Sequence, residues 1–374
     1  MIFRKIITIW MVVSILTFGG SSQVFAMTEI QPLHISAQGA ALIDVKSGRI
    51  LFEKNGDQKM RIASLTKIMT AIVAIENGNL EDMVTTSDNA YGTEGSSIYL
   101  KRGEQLTLED MLYGLMLRSG NDAAVAIAEH IGGSVEGFAF LMNEKAKILG
   151  MNHTHFVNPH GLDDKEHYST PKDMAILTAY ALKNSTFKKI VRTKVKTAPL
   201  ADESWDRQWI NKNKLLHMYQ WADGVKTGYT KIAKRCLASS ATKNGFQLAS
   251  ITLNASDDWN DSMQMLEYGF NNYSPYEITK GTYAGYVKVN KNQVVHLETA
   301  HDFFYLLKED EKQRLRKKVN IQYVNTFVSE QIVGNIQLYL DNQYIGSIPV
   351  KIRKEKESWK ENILSVFNRW WRGE

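Results

Sequence analysis

Apolar residues return every third or fourth position through Ile68, Met69, Ile72, Val73 and Ile75, which predicts a helix beginning near Ser64. Ahead of it, Ala40-Ala41-Leu42-Ile43-Asp44-Val45 and Arg49-Ile50-Leu51-Phe52 flank the turn Lys46-Ser47-Gly48, a strand–turn–strand pattern. Helical periodicity continues over residues 107–117, 122–131 and 135–149. Thr170-Pro171-Lys172-Asp173 opens another helix, with Thr170 as cap and Pro171 at the first position. Strand signals resume at Val225, followed by apolar runs at 236–242 and 248–253 and a last helix over 259–270. Strands, then helices, then strands predict an α/β (α+β) domain, a sheet covered by helices.

Asn271-Asn272-Tyr273-Ser274-Pro275 is rich in turn formers and marks a domain boundary, giving a first domain over 27–273. Short alternating runs follow at 283–289, 294–297, 319–324, 335–340 and 344–350, and predict a small β-sandwich over 274–352. The charged run 309–318 reads as a solvated helix or loop. In the tail, 353–374, Trp359, Ile363, Val366, Phe367 and Trp370 share one helical face, flanked by Leu364 and Trp371. Lys356, Glu361, Asn362, Ser365, Asn368, Arg369 and Arg372 lie opposite. A tryptophan-bearing apolar face edged with basic residues suits an amphipathic helix lying in a membrane surface. At the other end, Arg4-Lys5, an apolar run over 6–18 and Val24-Phe25-Ala26 predict a signal peptide over 1–26. That run is too short to span a bilayer. No cysteine follows it to carry a lipid.

A chain of 374 residues, 44% hydrophobic and 23% charged, has the makings of an ordinary globular protein of two domains. Its formal charge is +5. Removing Arg4 and Lys5 leaves +3, and residues 351–374, with seven Lys/Arg against four Glu, account for all of that. The body is therefore near neutral, which argues against nucleic acid as a partner. Cys236 is the one cysteine, can close no internal disulfide, and lies in a predicted strand as a small apolar residue.

The chemistry starts at Ser64-Leu65-Thr66-Lys67. Residues three apart share a helix face, so Lys67 can reach the Ser64 hydroxyl. A neutral lysine there can take the serine proton, and first-turn N–H groups can hold an oxyanion. Alone the motif is weak, because S-x-x-K arises roughly twice by chance in a chain this long. Two further stretches change its weight: Ser119-Gly120-Asn121, between predicted helices, and Lys226-Thr227-Gly228, on a predicted strand. S-x-x-K, S-x-N and K-T-G in this order form the signature of penicillin-binding proteins and class A β-lactamases.

With these motifs the sequence resembles the low-molecular-mass penicillin-binding proteins, the serine D-alanyl-D-alanine carboxypeptidases. The resemblance runs through Arg61-Ile62-Ala63-Ser64, Gly95-Ser96-Ser97-Ile98-Tyr99-Leu100, Leu115-Met116-Leu117-Arg118-Ser119-Gly120-Asn121-Asp122-Ala123-Ala124, Asn158-Pro159-His160-Gly161-Leu162-Asp163-Asp164 and Asn211-Lys212-Asn213-Lys214-Leu215-Leu216. Through Thr230-Lys231-Ile232-Ala233-Lys234-Arg235 it is most similar to the sporulation type that trims spore-cortex peptidoglycan. It implies a transpeptidase-like domain, an antiparallel sheet with a helical subdomain, held at the outer face of the cytoplasmic membrane. Ser64 would attack the bond between two D-alanines of a peptidoglycan stem peptide, with Lys67 as base and Ser119 relaying the proton. Asn121 would bind the substrate backbone, and Lys226 and Thr227 the terminal carboxylate. Gly228 would let substrate lie against the strand, and the Ser64 and Tyr229 N–H groups would form the oxyanion hole. β-Lactams would act as covalent inhibitors, and no cofactor is implied.

Many members of that family carry a loop arginine for the carboxylate, where this chain has Ala255-Ser256-Asp257-Asp258-Trp259-Asn260-Asp261; Arg235 is the candidate substitute. His153, His155 and His160 match no zinc spacing, so no metal is assigned. A β-lactamase would need an extra glutamate, for which the 158–173 region offers only Glu166. A non-catalytic wall-binding protein is the remaining alternative, and it would have no use for a complete set of reacting groups.

Overall fold

The computed structural model describes residues 33–200, 203–290, 293–322 and 328–354. The expected signal peptide and the tail helix both lie outside the described residues.

Five strands form the central antiparallel sheet: β1 (Gly39–Asp44), β2 (Ile50–Lys54), β3 (Ala222–Thr230), β4 (Lys234–Lys243) and β5 (Phe246–Leu253). Their order is β2-β1-β5-β4-β3, so the strand that carries K-T-G is one edge and β2 the other. Every residue of β1 is buried, because both faces of the sheet are covered. Ala41 and Ile43 join the main core with Ile68 and Ile72 of α1 (Lys67–Asn77). Leu42 points the other way, toward Gly269 of the helix Asp258–Asn272, where an added Cβ would come within 3.0 Å of the leucine.

The helical layer follows the sequence closely. Asn121–Gly132, Val135–Ile148 and Pro171–Leu182 are helices, and the Thr170 hydroxyl accepts the Asp173 N–H at 3.1 Å. The expected helix over 107–117 is corrected. It is α-helical only over Leu108–Tyr113 and then widens into a π-type turn, Gly114–Arg118, which delivers Ser119 in a left-handed conformation at φ +66°.

Beyond Asn272 the chain builds a β-domain. A five-stranded sheet takes Tyr283–Asn290, Gln293–Thr299, Gln343–Ile352, Ile332–Leu340 and Leu315–Ile321 in that spatial order. The ribbon Ser274–Ile278/Phe303–Leu307 packs across it, with Ile278 and Phe303 against Leu338 and Ile348. This is the expected two-layer β arrangement, but the charged run is not simply solvated. Its first half is a 3-10 turn, Asp310–Arg314, and its second half begins the edge strand Leu315–Ile321. Glu311 in that turn is buried and takes both arms of the Arg49 guanidinium, at 2.8 and 2.5 Å. Arg49 also stacks on Tyr273 and Tyr305, and the Tyr273 hydroxyl donates to the Leu51 carbonyl at 3.0 Å. The β-domain is thus fastened at the start of β2.

Candidate active site

Ser64 sits on a tight turn. Ala63 has φ +46°, a conformation costly for a residue with a side chain, and a 3-10 turn over Ala63–Thr66 leads into α1. Neighbours hold the turn from three sides. A Cβ on Gly161 would lie 2.0 Å from the Ala63 carbonyl oxygen, and one on Gly228 would lie 3.1 Å from the Ser64 nitrogen. A side chain at Gly228 would thus crowd the backbone of Ser64, a constraint that adds to the expected room for substrate. Behind the turn, Thr66 Oγ1 donates to the Ala63 carbonyl at 2.8 Å and lies 2.7 Å from His167 Nε2. His167 Nδ1 accepts the Val157 N–H at 3.2 Å, so the hydrogen-bond pattern assigns the ring proton to Nε2. His167 is buried, and burial first, then Arg61, pulls its pKa down to about 4, so the ring is neutral near pH 7.

Lys67 is fully buried with three polar neighbours. Its Nζ donates to Asn121 Oδ1 at 2.7 Å and to the His160 carbonyl at 2.6 Å, and lies 3.2 Å from Ser64 Oγ. A neutral amine has two N–H groups and one lone pair. The two carbonyl acceptors use both N–H groups, which leaves the lone pair for the serine proton. Electrostatics agree: burial, then Lys226 and Lys212, hold Lys67 well below the ordinary lysine range.

Asn121 opens the helix Asn121–Gly132, but its amide is spent inside the protein. Oδ1 accepts from Lys67, and Nδ2 donates to the Glu94 carbonyl at 2.7 Å. With 4% of its surface exposed, it fixes Lys67 from behind the cleft. The next residue, Asp122, accepts from Ser97 Oγ at 2.6 Å and from the Ile98 and Leu100 N–H groups, tying the 96–100 segment beside Ser119.

Ser64, Ser119, Thr227, Gly228, Tyr229 and Arg235 line one cleft of about 470 Å³. Ser96, Lys212, Asp258 and Trp259 complete it. Lys67, Asn121 and Lys226 stand buried behind the wall. Lys226 Nζ donates to the Thr227 carbonyl at 2.8 Å, and burial followed by Lys212 lowers its pKa to about 7. Arg235 faces the cleft with its guanidinium bonded to Asp258 through Nε at 2.9 Å and through Nη2. His160 reaches the site through its backbone carbonyl, not its ring, whose Nδ1 accepts the Leu162 N–H at 3.2 Å. Glu166, the residue a β-lactamase reading would need, is exposed and is not among the residues lining the cleft. Cys236 is buried, and burial pushes its thiol up to about 12.

Thr66, His167, Gly161 and Lys212 received no individual role from the sequence. Thr66, Gly161 and Lys212 fall within stretches that carry the resemblance, and His167 falls within none of them. The hydroxyl of Thr66 should matter more than its bulk. Thr66→Val keeps the shape but strips the Ala63 carbonyl and His167 Nε2 of their partner, and it is expected to slow acylation by benzylpenicillin about 10- to 100-fold. Thr66→Ser should retain most of the rate. Stopped-flow acylation rates for the two variants provide the measurement, and equal rates would remove the turn network from the account.

A family profile described as D-alanyl-D-alanine carboxypeptidase matches residues 26–257, and one described as the C-terminal domain of penicillin-binding protein 5 matches residues 270–358. The D-alanyl-D-alanine carboxypeptidase DacF of Bacillus subtilis (strain 168) is 34% identical over 98% of this chain and 97% of its own length. The D-alanyl-D-alanine carboxypeptidase of Streptomyces sp. (strain K15) is 36% identical over 63% of this chain and 88% of its own. The crystal structure of penicillin binding protein 5 from Haemophilus influenzae superposes with a TM-score of 0.70 at 29% identity, covering 86% of this chain and 98% of that one. The serine turn and the β-domain behind it are thus shared as a pair, and the chain belongs to the serine D-alanyl-D-alanine carboxypeptidase family of penicillin-binding proteins.

Proposed function

We propose that Ser64, Lys67 and Ser119 carry the removal of the terminal D-alanine from peptidoglycan stem pentapeptides. The observation that supports this most is the pair of carbonyl acceptors on Lys67, which leaves its lone pair for Ser64. Ser64 Oγ attacks the carbonyl carbon of the penultimate D-alanine as its proton passes to Lys67 Nζ. The Ser64 and Tyr229 N–H groups receive the oxyanion. Ser119 gives its proton to the leaving amine and regains one from the Lys67 ammonium, D-alanine departs, and water cleaves the ester and restores the Ser64 hydroxyl. Asn121 holds Lys67 in position. Thr227 and the field of Lys226 attract the terminal carboxylate, while Asp258 offsets much of the charge on Arg235. A β-lactam follows the same path as far as the ester and stays there.

The test is mass spectrometry of a stem pentapeptide incubated with the purified protein. Loss of one alanine is the expected product, and an untouched pentapeptide would reject the reading. Work in spore-cortex maturation is its narrower form; protein made equally throughout vegetative growth would speak against that. Attachment to the outer face of the membrane through residues 353–374 is likewise proposed, on the amphipathic pattern of the tail. Deleting 356–374 should release the protein into the soluble fraction with peptidase activity intact.

A further inference from the structure

A stem peptide arrives carrying negative charge, and three cations stand in or behind the cleft. Arg235 is bonded to Asp258. Lys226 is 1% exposed and bonds the Thr227 carbonyl. Lys212 is different. It lines the cleft with Ser64, Ser119 and Thr227, and among the described residues no carboxylate pairs with it. The polar contact of its ammonium is Ser96 Oγ at 3.4 Å, long for a charge-assisted bond. Desolvation by the surrounding wall and then the neighbouring Arg118 lower its pKa, as expected of a cation short of a counter-ion.

Its backbone is well braced. The Lys212 N–H donates to the Leu117 carbonyl at 3.0 Å, two residues before Ser119. On one side, buried Asn211 Nδ2 donates to the Thr193 carbonyl at 2.9 Å; on the other, buried Asn213 Oδ1 accepts the Leu215 N–H at 3.1 Å. A lysine on so fixed a turn, exposed on the wall of the cleft, is well placed to gain from one incoming anion.

We propose that Lys212 is a specificity residue of this cleft, pairing its ammonium with a carboxylate of the bound stem peptide. The proposal rests on the reading of Ser64 as nucleophile. Two carboxylates fit that chemistry: the C-terminal one, and the side-chain one present when the third residue is a diamino diacid.

The experiment measures kcat/KM of the full chain, Lys212→Met, Lys212→Gln and Lys212→Arg on two peptide pairs. One pair differs by a C-terminal carboxylate against a C-terminal amide. The other differs by diaminopimelate against lysine at the third residue. The wild type should prefer the carboxylate member of one pair by tenfold or more. Lys212→Met and Lys212→Gln should lose that preference, mainly through KM, while Lys212→Arg keeps it. The pair that responds identifies the carboxylate. Unchanged preferences in both neutral variants would overturn the proposal. So would an equal loss on all four peptides, which would mean the charge acts on Lys67 or on the fold. A wild type inert toward every peptide and toward benzylpenicillin would sink the nucleophile assignment and this proposal with it.

Discussion

Ser64→Ala is expected to abolish covalent labelling by fluorescent penicillin and to cut peptidase turnover roughly ten-thousand-fold or more, the scale seen when a covalent nucleophile is removed. The argument is local. Ser64 is the hydroxyl that the turn after Ala63 presents to both Lys67 and the cleft. Alanine keeps the backbone of that turn and fits the same space, so the fold should be retained. Ser119 also lines the cleft but sits on a different turn, and no lone pair on Lys67 is shown directed at it. Retained labelling in Ser64→Ala would move the nucleophile elsewhere. Intact-mass measurement after penicillin exposure, with thermal unfolding as the control for folding, decides the matter.

Lys67→Arg should be nearly as severe, lowering kcat/KM about a thousandfold. A guanidinium stays protonated at every working pH and has no lone pair to offer. It must also occupy a site that is 0% exposed. The pH profile carries the diagnostic part. The wild-type rate should rise as the ammonium of Lys67 loses its proton and then level off. Because burial and two lysines depress that proton's affinity, the plateau should be reached well below the ~10.4 of a free lysine. The rise with pH should vanish from the residual activity of Lys67→Arg. A wild-type profile still climbing at pH 10 would mean that Lys67 is charged in the working enzyme and is not the base.

Much of this molecule is written in its apolar periodicity. The 3.6-residue rhythm of Ile68, Met69, Ile72 and Val73 and the cap Thr170 ahead of Pro171 both produced the helices expected of them. Where periodicity fails, a competing physical demand explains it. Leu315–Ile321 hides as a charged run because an edge strand carries lysines that keep it from pairing with other chains. Val195–Ala198 and Arg207–Ile210 form a two-stranded ribbon with too little alternation to announce itself. Gly114–Arg118 looks helical and is, until its widened turn redirects the chain at Ser119.

The site was legible in kind and less so in depth. Three short motifs located the hydroxyls, the amine and the cleft-facing strand. Spacing along a chain does not say which side chain lies in front of another, so it gave no sign that Asn121 and Lys226 are buried while Thr227 and Lys212 line the cleft. The sequence offered a substrate-side reason for Gly228 and no sign of its close approach to the Ser64 backbone. The support from Thr66 and His167 joins residues about a hundred positions apart, beyond the reach of any local pattern.

The fastening of Arg49 to Glu311 lies at the opposite border of the sheet from the strand that carries Lys226. A pull on the β-domain at that anchor meets β2, with three strands between it and the K-T-G edge. The covalent tether is a second and shorter route: the helix Asp258–Asn272 starts with Asp258 and Trp259 in the cleft wall and hands the chain to the ribbon at Ser274. A swap of the β-domain that keeps this helix therefore keeps the wall of the cleft, and one that shortens it does not.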